Sequence, residues 1–353
     1  MKTNNKISVR QDLLTPLIEV DSTTRSMSSK ERENLVREWY FARSFVEQRL
    51  NNILYRKDNG GTPKFVIDGV SSQMCAIIRE IILRAHYTDF VEPKNDKTKL
   101  NQTVIVVLCD KGQKEATQKT LRNTPFLGNY IDYSWGTFDM EALDYLDVDV
   151  IVKEKPYGEK PNVSEEMFEG IVYSSDIDIC RAQMANNIYC IGNDIYNLPD
   201  IRPEDIDMYE IPLREFESKS FIKDIDKEWD KLSVKNKLSN VFCTDIFPQR
   251  LAILESSKNS EDTIKQTIEK NIRNLSQSEH SRWVAEKLIL GFIPWTATHH
   301  YEYSLLFDDD KQKYYKMLKS KEIHLDICSY RDLCRLDPQN RKYDTFLILS
   351  CLK

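Results

Sequence analysis

Residues 278–292 read SEHSRWVAEKLILGF. The stretch holds His280, one of five histidines, three residues before Trp283, one of five tryptophans. An imidazole can change charge near neutral pH, and an indole offers a broad face for packing or stacking. On a helix, positions i, i+3, i+7 and i+10 share a face, which lines up His280, Trp283, Lys287 and Leu290. A titratable ring, a stacking surface and a cation would then stand together. Glu279, Arg282 and Glu286 fall on a neighbouring face at ion-pair spacing. Gly291 is expected as the C′ residue that stops the helix, with Phe292 packing back.

A second candidate is DGVSSQM (68–74), where an apolar run passes straight into a helical pattern. Glycine-rich loops cradle phosphates at such junctions, because they expose backbone N–H groups at a helix N-terminus. Gly69 would supply the tight turn, and Ser71 and Ser72 would cap the helix and leave N–H groups for an anion. Ser71 and Met74 stand where a dinucleotide fingerprint has its second and third small residues, so the match is partial. Asp110, at the end of the next apolar run, could accept from a ribose. Ser174 and Ser175 mark a third strand-to-helix junction on the same sheet edge.

Other chemistry is thinly represented. His299 and His300 precede Asp308, Asp309 and Asp310, but adjacent imidazoles usually diverge. His324 and Cys328 are four apart, with loop-forming residues following. The chain has no GxSxG, HExxH or Walker A sequence. Its eight cysteines form no CxxC pair and no zinc-type cluster with histidine, and several sit in apolar runs as small core residues.

The elements that must carry these residues can be outlined. Ser28 or Ser29 is an expected N-cap, followed by a long helix with Leu35, Trp39, Ala42, Phe45, Val46, Arg49 and Ile53 on one stripe. That stripe must pack on the chain's own next unit or on a second subunit. Residues 64–215 alternate apolar β-branched runs (FVIDGV, TVIVVLCD, VDVIV, GIVYSS) with helical patterns. Such alternation indicates a parallel sheet covered by helices. After residue 216 only helical periodicity remains. The expected class is α/β: a Rossmann-like, mostly parallel sheet with helices on both faces, followed by a helical domain. The expected units are residues 1–60 (polar lead-in and long helix), 61–215 (α/β domain), 216–271 (helical connector) and 272–353 (helical domain).

The 353 residues exceed what one core usually organises. With 50 basic and 56 acidic residues the net charge is −6, so no overall positive field attracts nucleic acid, and direct DNA binding is not expected. The first residues lack the apolar core of a signal peptide, and no run of 18 apolar residues occurs. A reducing, cytoplasmic setting is expected.

The motif order adds a resemblance. EHSRW…EKLILGF, then KEIHLDICSYRDL and RKYD (321–344), resembles the ryanodine-receptor repeat, or RyR domain, over roughly residues 272–350. The matching positions are Glu279, His280, Trp283, Gly291, Phe292, Lys321, His324, Tyr330, Leu333, Tyr343 and Asp344. Leu325 departs from the usual proline, and the segment between Trp295 and Lys321 is longer and more acidic than usual. Bacterial proteins with this repeat often join it to a Rossmann-like domain similar to the TrkA-N/RCK-like nucleotide-sensing domains of potassium-transport regulators. The resemblance implies a regulatory ligand-binding protein. It does not identify the ligand; the aromatic rings and cations themselves suit a small nucleotide (NAD-like or cyclic) or a phosphorylated metabolite, and a role in nucleotide signalling or defence is expected. The expected ligand residues are His280, Arg282, Trp283, Lys287, Trp295, Lys321, His324 and Tyr330, beside Gly69, Ser71, Ser72, Asp110, Ser174 and Ser175 in the α/β half. A homo-oligomer and a membrane or effector protein partner are expected. The alternatives are a nicotinamide-dependent oxidoreductase and a protein–protein scaffold.

Overall fold

The computed structural model describes residues 28–54, 63–86, 104–108, 132–136, 148–153, 165–167, 179–196, 224–257, 263–336 and 340–349. Helix α1 (Ser29–Phe45) starts at a capping box: Ser28 Oγ accepts from Glu31 N, and the Glu31 carboxylate accepts from Ser28 N at 2.6 Å. It continues through a π-helical turn, Val46–Leu50, into Asn51–Leu54. Trp39, Ala42, Phe45 and Val46 are buried as the stripe requires, but Arg49 is exposed and Leu50 and Leu54 are buried instead. The wider turn rotates the helix and shifts the apolar seam. The stripe is covered within the chain. Trp39 donates to Glu80 Oε1 at 2.7 Å and stacks on Phe242 with centroids 5.7 Å apart.

Strand β1 (Lys64–Asp68) leads into α2 (Ser72–Arg84), whose N-cap is Ser71. Further strands are β2 (Val104–Leu108), β3 (Asp132–Gly136), β4 (Val150–Lys153) and β5 (Glu165–Met167). They pair in parallel in the order β3-β2-β1-β4-β5. Phe65, Ile67, Ile105, Val107, Val150 and Val152 share one core with α1 and α2.

The expected fold class is corrected here. Helix accounts for 74% of the described residues, and the strands are only three to five residues long. A Rossmann-like sheet with helices on both faces needs a helix in successive crossovers. Among the described residues, α2 is the one helix between β1 and β5. The β3 and β5 segments, DYSWG and EEM, carried no apolar run. They occupy the two edges of the strand order, where polar residues are tolerated. The runs GIVYSS and MYEIPL lie outside the described residues.

The remaining chain forms α3 (Ile179–Tyr196), α4 (Ile225–Asp230), α5 (Val234–Asp245), α6 (Phe247–Ser257) and α7 (Ile264–Ile289). Then come β6 (Ile293–Pro294), α8 (Ala297–Ser304), α9 (Asp308–Ser320), β7 (Ile323–His324), α10 (Tyr330–Leu336) and α11 (Arg341–Leu349). Helix α7 is the spine. It packs against α2, α5, α6, α10 and α11, and Val284, Ala285 and Leu288 complete the core shared with α1 and α2. Its end is a Schellman motif: Phe292 N donates to Lys287 O at 2.9 Å and Gly291 N to Leu288 O at 3.1 Å. Gly291 adopts φ +90° there, a backbone region that favours glycine. Phe292 then packs back on the core, and β6 pairs with β7 beside it. This pairing brings His324 next to the last turns of α7.

Candidate functional site

A cavity of about 740 Å³ opens beside the C-terminal half of α7, within the size range of small-molecule sites. Its walls come from distant segments. Helix α7 supplies His280, Trp283 and Lys287, and α9 supplies Tyr315 and Lys319. His324 and Asp326 come from β7 and the turn after it, while α3 and α11 add Tyr189, Tyr343 and Asp344. Aromatic faces, cations and side-chain amides (Asn186, Asn236, Asn240, Asn340) meet around one space.

The two histidines on this wall are in opposite states. His280 is buried, with Nε2 2.9 Å from the Cys328 carbonyl and Nδ1 3.4 Å from the Asp344 carboxylate. Both nitrogens therefore face acceptors, as in an imidazolium. Burial is the largest influence and would lower its pKa, but the Asp344 charge together with the bonds to Asp344 and Cys328 outweighs it and holds the imidazole well above the usual histidine value. His324 Nδ1 accepts from Asp326 N at 3.2 Å, which leaves the proton on Nε2, 3.4 Å from the Tyr315 hydroxyl. Burial, then Lys319, Lys287 and His280, push His324 down to about 3, so it stays neutral at physiological pH.

Trp283 lies between them and is partly exposed. The His280 ring stacks on it at 6.0 Å and the His324 ring meets it edge-on at 5.2 Å. Lys287 Nζ sits 5.5 Å over the indole and 5.7 Å over Phe292, while bonding Glu286 Oε1 at 2.9 Å. Lys319 is exposed at the rim and makes no ion pair among the described residues. Burial against the cavity wall and the nearby Lys287 charge lower its pKa, while Asp326 opposes the shift.

Behind Lys287 runs a buried chain of charges. Arg282 Nη1 donates to Glu286 Oε2 at 2.8 Å and Arg282 Nη2 to Glu279 Oε1 at 2.8 Å. Arg250 of α6 reaches Glu279 Oε2 at 2.6 Å. All four side chains are 1% exposed or less. Burial would raise the Glu279 pKa, but Arg282 and Arg250 outweigh it and lower the value to about 2.

Of the eight residues expected to bind ligand in the helical half, His280, Trp283, Lys287 and His324 border the cavity. The other four do not. Arg282 is fully buried between two glutamates, so it cannot meet a phosphate. Trp295 is buried in an aromatic cluster with Tyr303, Tyr314 and His300. Tyr330 is buried with its ring 5.7 Å from that of His280, and Lys321 is exposed at the end of α9. Lys319, Tyr315 and the asparagines were missed. Lysine spacing on α9 gave no reason to prefer position 319 over 311, 313 or 316.

The first βα junction is closed by its own chain. Gly69 adopts φ +118°, Ser71 Oγ accepts from Met74 N at 3.2 Å, and Ser72 Oγ donates to Glu38 Oε1 at 2.5 Å. Ser72 thereby reaches α1, and none of the three borders the cavity. Asp110, Ser174 and Ser175 lie outside the described residues. His299 Nδ1 accepts from Thr296 N to cap α8. Among the described residues no group of three or more His, Cys, Asp or Glu side chains is arranged to hold a metal ion, and no helix is long and apolar enough to cross a membrane. No protein-family model, curated protein or solved structure matches the chain.

Proposed function

We propose that the chain is a cytoplasmic ligand-sensing regulatory protein that binds a small nucleotide or phosphorylated metabolite in the cavity beside α7. The observation that carries this reading is a partly exposed Trp283 bordered by Lys287, with Lys319 of α9 lining the same cavity. An aromatic face with cations suits a ring bearing an anion. Stacking contributes about 1–3 kcal/mol per base and charge-assisted hydrogen bonds about 1.5–3 kcal/mol each, so micromolar affinity (about 8 kcal/mol) is within reach. Seven of the eleven positions that resemble the RyR repeat (His280, Trp283, Phe292, His324, Leu333, Tyr343 and Asp344) border this one space, which supports that resemblance as part of the reading. The ligand would join α7 and α9, and so fix the α8–α9 hairpin against the spine.

Calorimetry of the full chain against mono-, di- and cyclic nucleotides tests it. Saturable heat with at least one nucleotide is expected. No heat with any of them, in protein that melts cooperatively, overturns it. A protein-docking role is the second reading, favoured by Tyr301, Leu305 and Phe307, which are 66%, 65% and 83% exposed on that hairpin. An effector or a second copy would then read the hairpin's position. Light scattering with and without nucleotide would show a ligand-dependent change in mass.

A further inference from the structure

We infer that Lys287 is a specificity gate: its ammonium covers the Trp283 indole until an anion draws it away, so an aromatic ring enters only if it carries an anion. This rests on the cavity being the ligand site. Residues 280 and 287 lie one turn before and one turn after Trp283 on the same helix face, so they approach the indole from opposite directions along the axis. The His280 ring stacks on it at 6.0 Å and Lys287 Nζ stands over it at 5.5 Å.

Only one of these covers can leave. His280 is held at both nitrogens, by the Cys328 carbonyl and the Asp344 carboxylate. Lys287 is held by Glu286 Oε1 and, at 3.4 Å, by Ser239 Oγ. Glu286 also receives Arg282 on its other oxygen, so departure of Lys287 does not leave a buried carboxylate without a cation. Lys319, with no ion pair among the described residues, lines the same cavity and feels the Lys287 charge. An anion placed between the two lysines would gain two charge-assisted contacts, which offset the cation–π contacts with Trp283 and Phe292 and the Glu286 and Ser239 bonds that Lys287 gives up. A neutral ring must displace the ammonium with no such gain. An anion without a ring leaves the indole uncovered.

The probes are adenosine with adenosine monophosphate, guanosine with guanosine monophosphate, and inorganic phosphate. They are titrated into the full-length wild type, K287Q and K319Q, with heat and tryptophan fluorescence as readouts and melting curves to establish folding. In wild type the monophosphate of the better pair binds at least about tenfold tighter than its nucleoside, a difference set by one charge-assisted contact. In K287Q the nucleoside binds tighter than in wild type while the monophosphate binds weaker, a crossing that simple damage to the site would not give. In K319Q the monophosphate weakens and the nucleoside does not improve. If a monophosphate binds wild type but folded K287Q shows no gain for the nucleoside, the gate is overturned and the cavity reading stands. If no nucleotide binds wild type, both fall.

Discussion

Asp344 on α11 stands 3.4 Å from His280 Nδ1 on α7, although 63 residues lie between them in the chain. This contact holds the imidazole charged in the cavity wall and ties α11 to the spine. His280 has its pKa raised on folding, so it binds its proton more tightly in the folded state. The stability this contributes is complete below the free-histidine value of about 6.5 and is lost as pH rises through the higher folded value. Thermal unfolding of the wild type should therefore show a falling midpoint on the alkaline side of neutrality. D344N should lower stability at pH 7 by about 3 kcal/mol, as for one broken buried pair, and flatten the alkaline decline. A wild-type midpoint that rises between pH 7 and 9 would contradict the assignment.

Acid should act through Glu279. Its folded pKa of about 2 lies below the ordinary carboxylate value because two guanidiniums outweigh its burial. A depressed carboxylate contributes stability that is present above the unfolded pKa and lost as pH falls through the folded one. Denaturant titrations from pH 5 down to pH 2 should show progressive loss of stability in wild type. The slope should be shallower in E279Q, which starts from a lower plateau because Arg282 and Arg250 lose their shared carboxylate.

Arg282 is a structural cation. R282M would leave Glu279 with Arg250 and Glu286 with Lys287, but would remove the group that joins the two pairs. A loss of about 3–5 kcal/mol in chemical denaturation is expected. In protein that remains folded, monophosphate affinity should fall as well, although Arg282 does not border the cavity, because Glu286 would then hold Lys287 over the indole.

The two tryptophans near the site should separate cleanly. W283A should abolish most of the nucleotide-dependent heat and fluorescence change, by removing a contact worth about 1–3 kcal/mol. Trp295 is buried, and its indole N–H has no hydrogen-bond partner among the described residues. W295F should therefore cost about 1 kcal/mol or less of stability and retain the nucleotide heat.

The first βα junction should contribute to stability and not to binding. S71A removes the cap on Met74 N and should cost about 1 kcal/mol. G69A forces a side chain onto a φ of +118° and should cost about 1 kcal/mol or more. A Cβ there would meet only Met74 Cγ at 4.0 Å, so the penalty is in the backbone. If either change removes nucleotide binding, the ligand site lies at this junction instead of beside α7.

Local chemistry was readable from the sequence because helix signals act over one or two turns. The Ser28 cap, the stripe around Trp39, the Gly291 stop and the shared face of His280, Trp283 and Lys287 all depend on neighbours within about seven residues. The tertiary structure decided the rest. Apolar runs marked β1, β2 and β4, but whether helices cover a sheet is set by how distant crossovers pack, and there the expected class had to be corrected. The π-turn at Val46–Leu50 moved Arg49 out of the seam. Arg282 and Lys287 are cations on one helix, yet Arg282 shares Glu279 with Arg250 from α6, while Lys287 lies over an indole at the cavity wall. Spacing determines which way a side chain points along its own helix. Its charge state and its access to a ligand depend also on counter-charges and walls brought from far along the chain, because buried charges must be compensated and the Glu279–Arg282–Glu286 row on α7 is completed by Arg250 from α6.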